Sequence, residues 1–391
     1  MFAGGWADRY NKRKAFMFIP ILGRCLYYKY RFLFSIIIES QPLILSCYSS
    51  MLPAFFGDSP CFMMSVLSYI TTTTPESDRV LRLSIFAVFV LLTNNLNLII
   101  EPNDYFAYPI TSAICLAFEV AAILYVIFLI KEPKSNESVS QSNDMHLTNM
   151  GDIPIEENVT NIALSSEPPR RNIFREFFDP MLVLELIKLP YKRRDIYGSL
   201  ILLLLILCYC LSVGQIDVET KYFNDHDNIA FRLMRFESYI TGALLCGLVF
   251  SKTWKFSNSI IGIWISVFTA VSRLVYNFAP TTEITTTHYF GGVLDLFAVL
   301  RLVPIQSKAS TINEGDGKLF SFFGILEPIA IFIYQPIYDA VVFASIESFP
   351  NFLLLNIELF YVPNVLIFIA CYFLMRRRNS NMAQHNSTEN L

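Results

Sequence analysis

Asp295 and Glu327 each interrupt a long apolar run, and Arg232, Arg235 and Tyr239 share one face of another at i, i+3 and i+7. A carboxyl group desolvated by apolar neighbours can hold a proton near neutral pH, so the two acids are candidates for a proton path. Hydrogen bonding or ion pairing between helices explains the same two positions, and both readings stand on the residues alone. The arginine face could attract an organic anion; snorkelling of the guanidiniums to an interface accounts for it as well. Thr93, Asn94, Asn95 and Asn97 form a polar cluster in a further apolar run, suited to hydrogen bonds between helices or to contact with a solute.

Other chemistries lack their residues. The eight cysteines fall almost wholly inside apolar runs, without a CxxC pair or a histidine spacing suited to zinc, and read as small apolar filler. His146, His226, His288 and His385 lie in loops, in the tail or at a helix end, so a histidine relay is not expected. No P-loop and no nucleophile elbow is present, so neither an ATP-driven pump nor a hydrolase is expected, and no cofactor or metal. A net charge of −3 leaves no basic excess for nucleic acid.

The elements that must position these residues are set by hydrophobicity. The 391 residues are 54% hydrophobic and 16% charged, more apolar than one soluble core hides, which makes this an all-α integral membrane protein. Crossing a hydrocarbon layer of ~30 Å takes ~20 apolar residues. Ten runs qualify, at 15–37, 48–71, 82–100, 107–130, 196–214, 230–251, 257–277, 286–306, 319–345 and 351–375. The first is the least regular, because Arg24, Lys29 and Arg31 interrupt it, and a break there would fit.

Basic residues test the count, since short cytoplasmic loops retain Lys and Arg. Alternate connections carry Arg9, Lys12, Arg13 and Lys14; Arg79 and Arg82; nine basic residues between 131 and 195; Lys252 and Lys255; Lys308 and Lys318; and Arg376 to Arg378. The opposite connections hold only Lys221, so both termini are expected in the cytoplasm. No secretory signal is expected ahead of the first basic cluster.

Polar composition rich in Ser and Asn makes residues 134–172 a flexible linker, and 173–190 a short amphipathic piece. The expected organisation is a four-span bundle over 1–133, a cytoplasmic linker over 134–195, a six-span bundle over 196–378 and a tail over 379–391. Asn136, Asn158 and Asn386 lie in glycosylation sequons on the cytoplasmic side, where they should be unmodified.

Gly4-Gly-Trp-Ala-Asp8-Arg9-Tyr-Asn-Lys12-Arg13 is similar to the G-x-x-x-D-R-x-G-R-R motif of the major facilitator superfamily, with Asn at position 11 in place of Gly. An Asp at a helix end beside clustered cations can pair across a gate, and Gly4 permits close helix approach. Tyr69-Ile-Thr-Thr72 through Arg79 and Arg82 resembles a segment of solute carrier family 46, the proton-coupled folate transporter and its relatives. Ser307-Lys308, then Gly317-Lys318-Leu-Phe-Ser321, Glu327, Pro336, Tyr338 and Phe349-Pro350 continue that resemblance in order.

The resemblance implies a twelve-helix, two-bundle carrier in which the ten runs are the third to twelfth helices, with the first two absent from this chain. It assigns a gate role to Gly4, Asp8, Arg9, Lys12, Arg13, Arg79 and Arg82. It puts Asp295 and Glu327 on cavity-lining helices, and Arg24, Glu119, Arg273 and Glu358 on peripheral ones, where structural pairing is expected. Thr72 replaces the family's Asp and Ala87 its Glu, and Arg301 lies two residues from the family's Arg position, Val303 here. Neither proton coupling nor folate is therefore inherited by name. The expected function is alternating-access transport of a small organic solute, with an organic anion and a proton as candidate cargo and coupling ion. The alternative is a non-transporting receptor, a scaffold or a truncated inactive product. The expected site is a plasma or lysosome-like membrane.

Overall fold

The computed structural model describes residues 6–8, 10, 12–37, 51–99, 107–132, 196–224, 229–278, 285–312, 316–345 and 352–389, with isolated positions 181, 184 and 188. Every regular element among them is helical. In hydrocarbon a segment must satisfy its own backbone hydrogen bonds, and a helix does so within itself. The first half comprises α1 (Arg13–Ile37), α2 (Asp58–Thr73), α3 (Glu76–Ile99) and α4 (Ala107–Phe128). The second comprises α5 (Ile196–Asn224), α6 (Ile229–Leu244), α7 (Asn258–Asn277), α8 (Thr286–Leu294), α9 (Leu302–Ile312), α10 (Asp316–Ser345) and α11 (Phe352–Glu389). A π-helical segment, Leu245–Thr253, extends α6, and a 3-10 segment, Asp295–Leu300, links α8 to α9.

Within the first half α1 packs on α4 and α2; within the second α7 packs on α11, and α5 on α10 and α11. The halves meet where α2 lies on α10, and α3 on α6, its π segment and α9. One apolar core runs through both, joining Met64, Leu67 and Leu83 of the first to Leu202, Phe297 and Phe323 of the second. Outward, Phe118, Phe128, Phe332 and Phe343 are exposed, as lipid-facing helices require. Six segments are long and apolar enough to cross a membrane by length and composition: Thr111–Phe128, Ile196–Ile216, Leu233–Thr253, Asn258–Tyr276, Thr286–Ile312 and Gly317–Ala340. The chain is an integral, multi-pass membrane protein.

Two expectations differ in detail. The charged first run is one continuous helix from Arg13 to Ile37, because Arg24 finds Glu119 on α4 and Asp58 on α2. The polar tail continues α11 to Glu389 without a break, since residues 376–389 contain no Pro or Gly. The linker over 134–195 lies outside the described residues, except that Lys188 donates its amide to Leu184 in one helical turn.

Arg13 and Lys318 meet at Asp8, Arg79 reaches Ser310, and Lys252 and Lys255 line a cleft with Ser77 and Asp78, so these helix ends form a basic end of the molecule. The residues of the central cluster are set by a close approach deeper in the second half. At Gly242 the α6 backbone touches the 3-10 segment so closely that a Cβ would lie 1.9 Å from the Leu296 carbonyl oxygen. Arg235 and Tyr239 occupy the same face of α6, seven and three residues before that contact.

Candidate functional site

Asp295 opens the 3-10 segment and is wholly buried, as is Arg273 of α7. The Arg273 guanidinium lies 3.0 Å from Asp295 Oδ1 and donates to Oδ2 at 3.2 and 3.3 Å. Arg235 donates to Oδ2 at 3.1 Å and Tyr239 Oη–H at 2.8 Å, and Arg235 also donates to the Tyr239 hydroxyl oxygen. Tyr239 and Tyr276 place rings under these guanidiniums, 5.4 Å from Arg235 and 5.5 Å from Arg273. Ser272 Oγ–H donates to the Gly291 carbonyl at 2.9 Å and fixes α7 against α8. The arrangement is that of an ion-paired carboxylate which ties three segments together, with Arg235 the one charged member retaining exposure, 14% of its side chain.

The structure thus brings Arg235, Tyr239 and Asp295 together and adds Arg273, which sequence reasoning had left among peripheral pairs. A signal for it was available: an arginine deep in an apolar helix needs a carboxylate, and Asp295 is one of few at matching depth. Glu327 stands apart. It is exposed on α10, where it interacts with the Tyr209 hydroxyl of α5, whose ring stacks on Phe323 at 4.4 Å. The side chains of Arg232, Glu358 and the Thr93 to Asn97 cluster lie outside the described residues.

At the basic end the N-terminal motif joins the two halves. The Asp8 carboxylate accepts the amides of Gly317 at 2.9 Å and Lys318 at 2.8 Å, the first turn of α10, and an Arg13 N–H at 3.2 Å. A carboxylate there meets amides without intrahelical partners and the positive end of the helix dipole. Burial pushes the Asp8 carboxyl above its ordinary range, against the opposing pull of the Lys318 amide and Arg13. Arg13 is itself fixed, donating through Nε to Ser68 Oγ at 2.8 Å and through its amide to Glu132 at 3.2 Å.

Arg79 donates to Ser310 Oγ across the halves at 3.1 Å, and Ser251 Oγ–H to the Ser77 carbonyl at 3.4 Å. Lys12 and Arg82 are exposed, while Gly4 and Arg9 lie outside the described residues. Ser310 and Glu132 were not foreseen, because a lone Ser or Glu at a helix end carries no pattern of its own.

The departures from the family pattern are legible in the geometry. Thr72 turns its hydroxyl to the Ser68 carbonyl of its own helix, and Ala87 brings no polar group. Arg301 is buried and donates to the Ala298 carbonyl at 2.7 Å and the Tyr361 hydroxyl at 2.6 Å, a helix-to-helix tie. Among the described residues no group of side chains is suited to a metal ion.

No family model and no curated protein sequence matches the chain. Solved structures do. The E. coli fucose:proton symporter FucP matches with a TM-score of 0.60 at 15% identity, over 95% of this chain and 86% of its own. A double-tryptophan variant of XylE gives 0.59 at 13% identity, over 95% and 83%. The human organic anion transporter MFSD10 (TETRAN) gives 0.54 at 13% identity, over 95% and 79%. At such identities the shared property is the fold, and it is the two-bundle major facilitator fold, FucP being a transporter of that superfamily.

Proposed function

We propose that the chain is a major facilitator transporter that moves a small organic solute across a membrane by alternating access of its two halves. The observation that carries this reading is the latch at the basic end, where Asp8 of the first half closes on the leading amides of α10 in the second. A joint made of a few charge-assisted hydrogen bonds holds two rigid bundles together and releases them without unfolding either.

The solute side of the reading rests on Arg235, Tyr239 and Asp295. A guanidinium held in place by a neighbouring carboxylate and phenol is preorganised to receive an anionic group, so an organic anion is the class we assign. An organic anion transporter is among the proteins sharing the fold. A coupling proton would use Asp295 or Glu327; a proton symporter shares the fold too. Kinship with solute carrier family 46 rests on the ordered motifs, and the cytoplasmic placement of both termini on the basic end.

Uptake of a panel of organic anions at acidic and neutral pH, into cells with matched surface abundance, tests the reading. The wild-type chain should accumulate at least one anion, Arg235→Gln should lower that uptake about tenfold or more, and Asp295→Asn or Glu327→Gln should flatten its pH dependence. Absence of accumulation from a chain present at the surface would instead favour a non-transporting receptor or scaffold, the reading to which Thr72 and Ala87 lean.

A further inference from the structure

A second site is built at the basic end. A cleft of about 600 Å3 opens on the seam between the halves. The first turn of α3 forms one wall, with Glu76 and Asp78; the turn before α7 and the end of α9 form the other, with Lys252, Lys255, Ser257 and Lys308. That volume is in the range of small-molecule sites.

Lys308 is its anchor. The residue is only 9% exposed, and among the described residues no hydrogen bond or ion pair reaches its ammonium, although Glu76 acts on it electrostatically. A side chain so largely buried that brings an ammonium without a hydrogen-bond partner into a cleft is suited to receive an anion. Its neighbours on α9 are committed elsewhere: Ser307 Oγ accepts from Asn258 Nδ2 at 3.0 Å, and Ser310 Oγ from Arg79 at 3.1 Å. Helix α7 begins in the same cleft at its N-cap, Ser257, which adds the positive end of a dipole.

The donor set defines the ligand. Separate ammonium groups act as point charges and suit a tetrahedral anion with several oxygens, whereas a flat carboxylate is better met by a guanidinium fork. Glu76 and Asp78 on the opposite wall repel bare anions and accept hydrogen bonds, so they favour a ligand that carries N–H or O–H donors beside its anionic group. We infer that this cleft binds a phosphoryl group linked to an amino-alcohol or polyol, the chemistry shared by phospholipid headgroups and soluble phosphorylated alcohols. Because its walls belong to different halves, the bound ligand stabilises the joined state of the basic end and shifts the population toward it. Binding itself does not require that the chain transport anything.

The test uses the full chain in nanodiscs of phosphatidylcholine, at ionic strength held constant with chloride, with the thermal unfolding midpoint as readout. One arm adds phosphoethanolamine, with phosphocholine, which has no N–H donor, as control; the other replaces part of the lipid with phosphatidylethanolamine. A saturable rise of the midpoint is expected in at least one arm and not with phosphocholine, and the responding arm identifies a soluble or a lipid source. Lys308→Gln should weaken the apparent affinity about tenfold or more, and Lys252→Gln with Lys255→Gln, both at exposed positions, should weaken it too. A flat midpoint in both arms, an equal response to phosphocholine, or an unchanged affinity in a folded Lys308→Gln overturns the inference. Should Lys308→Gln not fold, unchanged affinity in the double variant overturns it equally.

Discussion

The two halves each contain an arginine and acids on apolar helices, and they use them differently. In the first half Arg24 lies 3.8 Å from Glu119 and 4.0 Å from Asp58, beyond hydrogen-bond reach, with 29% of the arginine and 47% of Asp58 exposed. In the second, Arg273 and Asp295 are both fully buried and 3.0 Å apart, with Arg235 and Tyr239 completing the shell. The Arg24 contacts are longer than hydrogen bonds and shared between two acids, so they depend less on a single geometry. A buried pair cannot lose one member without stranding the other in a medium that solvates it poorly. The second half therefore holds the rigid, geometrically specified cluster, and the first half the adjustable one.

The sharpest way to break this contrast is to remove one partner from the tight cluster. Arg273→Leu removes the wholly buried guanidinium from Asp295 and leaves it with Arg235 and Tyr239, and a loss of about 3–5 kcal/mol is expected, read as a lowered unfolding midpoint and reduced yield of folded chain. Combining it with Asp295→Leu should cost less than the sum of the two single losses, since each single variant already removes the contact between Arg273 and Asp295. Additive losses in the double variant would show that the cluster is not a unit.

Next in size is the packing that aligns the cluster. Gly242→Ala places a methyl group against the backbone of Leu296, which cannot give way as a flexible side chain could. A cost of about 1–3 kcal/mol is expected, with a shift of α6 that loosens Arg235 and Tyr239 from Asp295. An unchanged midpoint would mean that the 3-10 segment yields easily and the site is less rigid than its hydrogen bonds suggest.

The sequence shows much of the fold, because long apolar runs have few solutions in lipid; of the ten expected spans, six are matched by segments long and apolar enough to cross among the described residues. It shows less of the site. Arg235 and Tyr239 are seen together because four residues span one helical turn, whereas Arg273 and Asp295 meet only through the packing of α7 on α8. The π segment after Leu244 and the 3-10 segment at Asp295 carry no periodicity that would announce them. At the basic end Asp8 is visible as a motif, but its acceptor role depends on α10 starting just where it does, beside Gly317.

A smaller effect is expected at that latch, and its pH dependence has a definite sign. The Asp8 carboxyl is raised in the folded chain by burial, so the folded state holds a proton that the unfolded state, with a value of about 3.9, has already released. Between that value and the raised one, the unfolded chain binds fewer protons, and the contribution of Asp8 to stability falls as pH rises. Asp8→Asn cannot ionise and should remove that slope while weakening the cap on α10 by roughly 1 kcal/mol. Unfolding midpoints across the acidic range, wild type against variant, read both; a slope of the same size in the variant would assign it to other groups.

The smallest effect should come from the loose pair. Arg24→Gln removes a guanidinium that reaches neither acid within hydrogen-bond distance and that also lies 5.2 Å from the Phe62 ring, so the stem can keep its packing and the amide can serve the same acids. The change in stability should be smaller than that for Arg273→Leu, because the contact is longer and shared between two acids. Equal losses at the two arginines would erase the distinction between the halves, because they would mean that Glu119 depends on Arg24 as strictly as Asp295 depends on Arg273, whatever the separation between the charges.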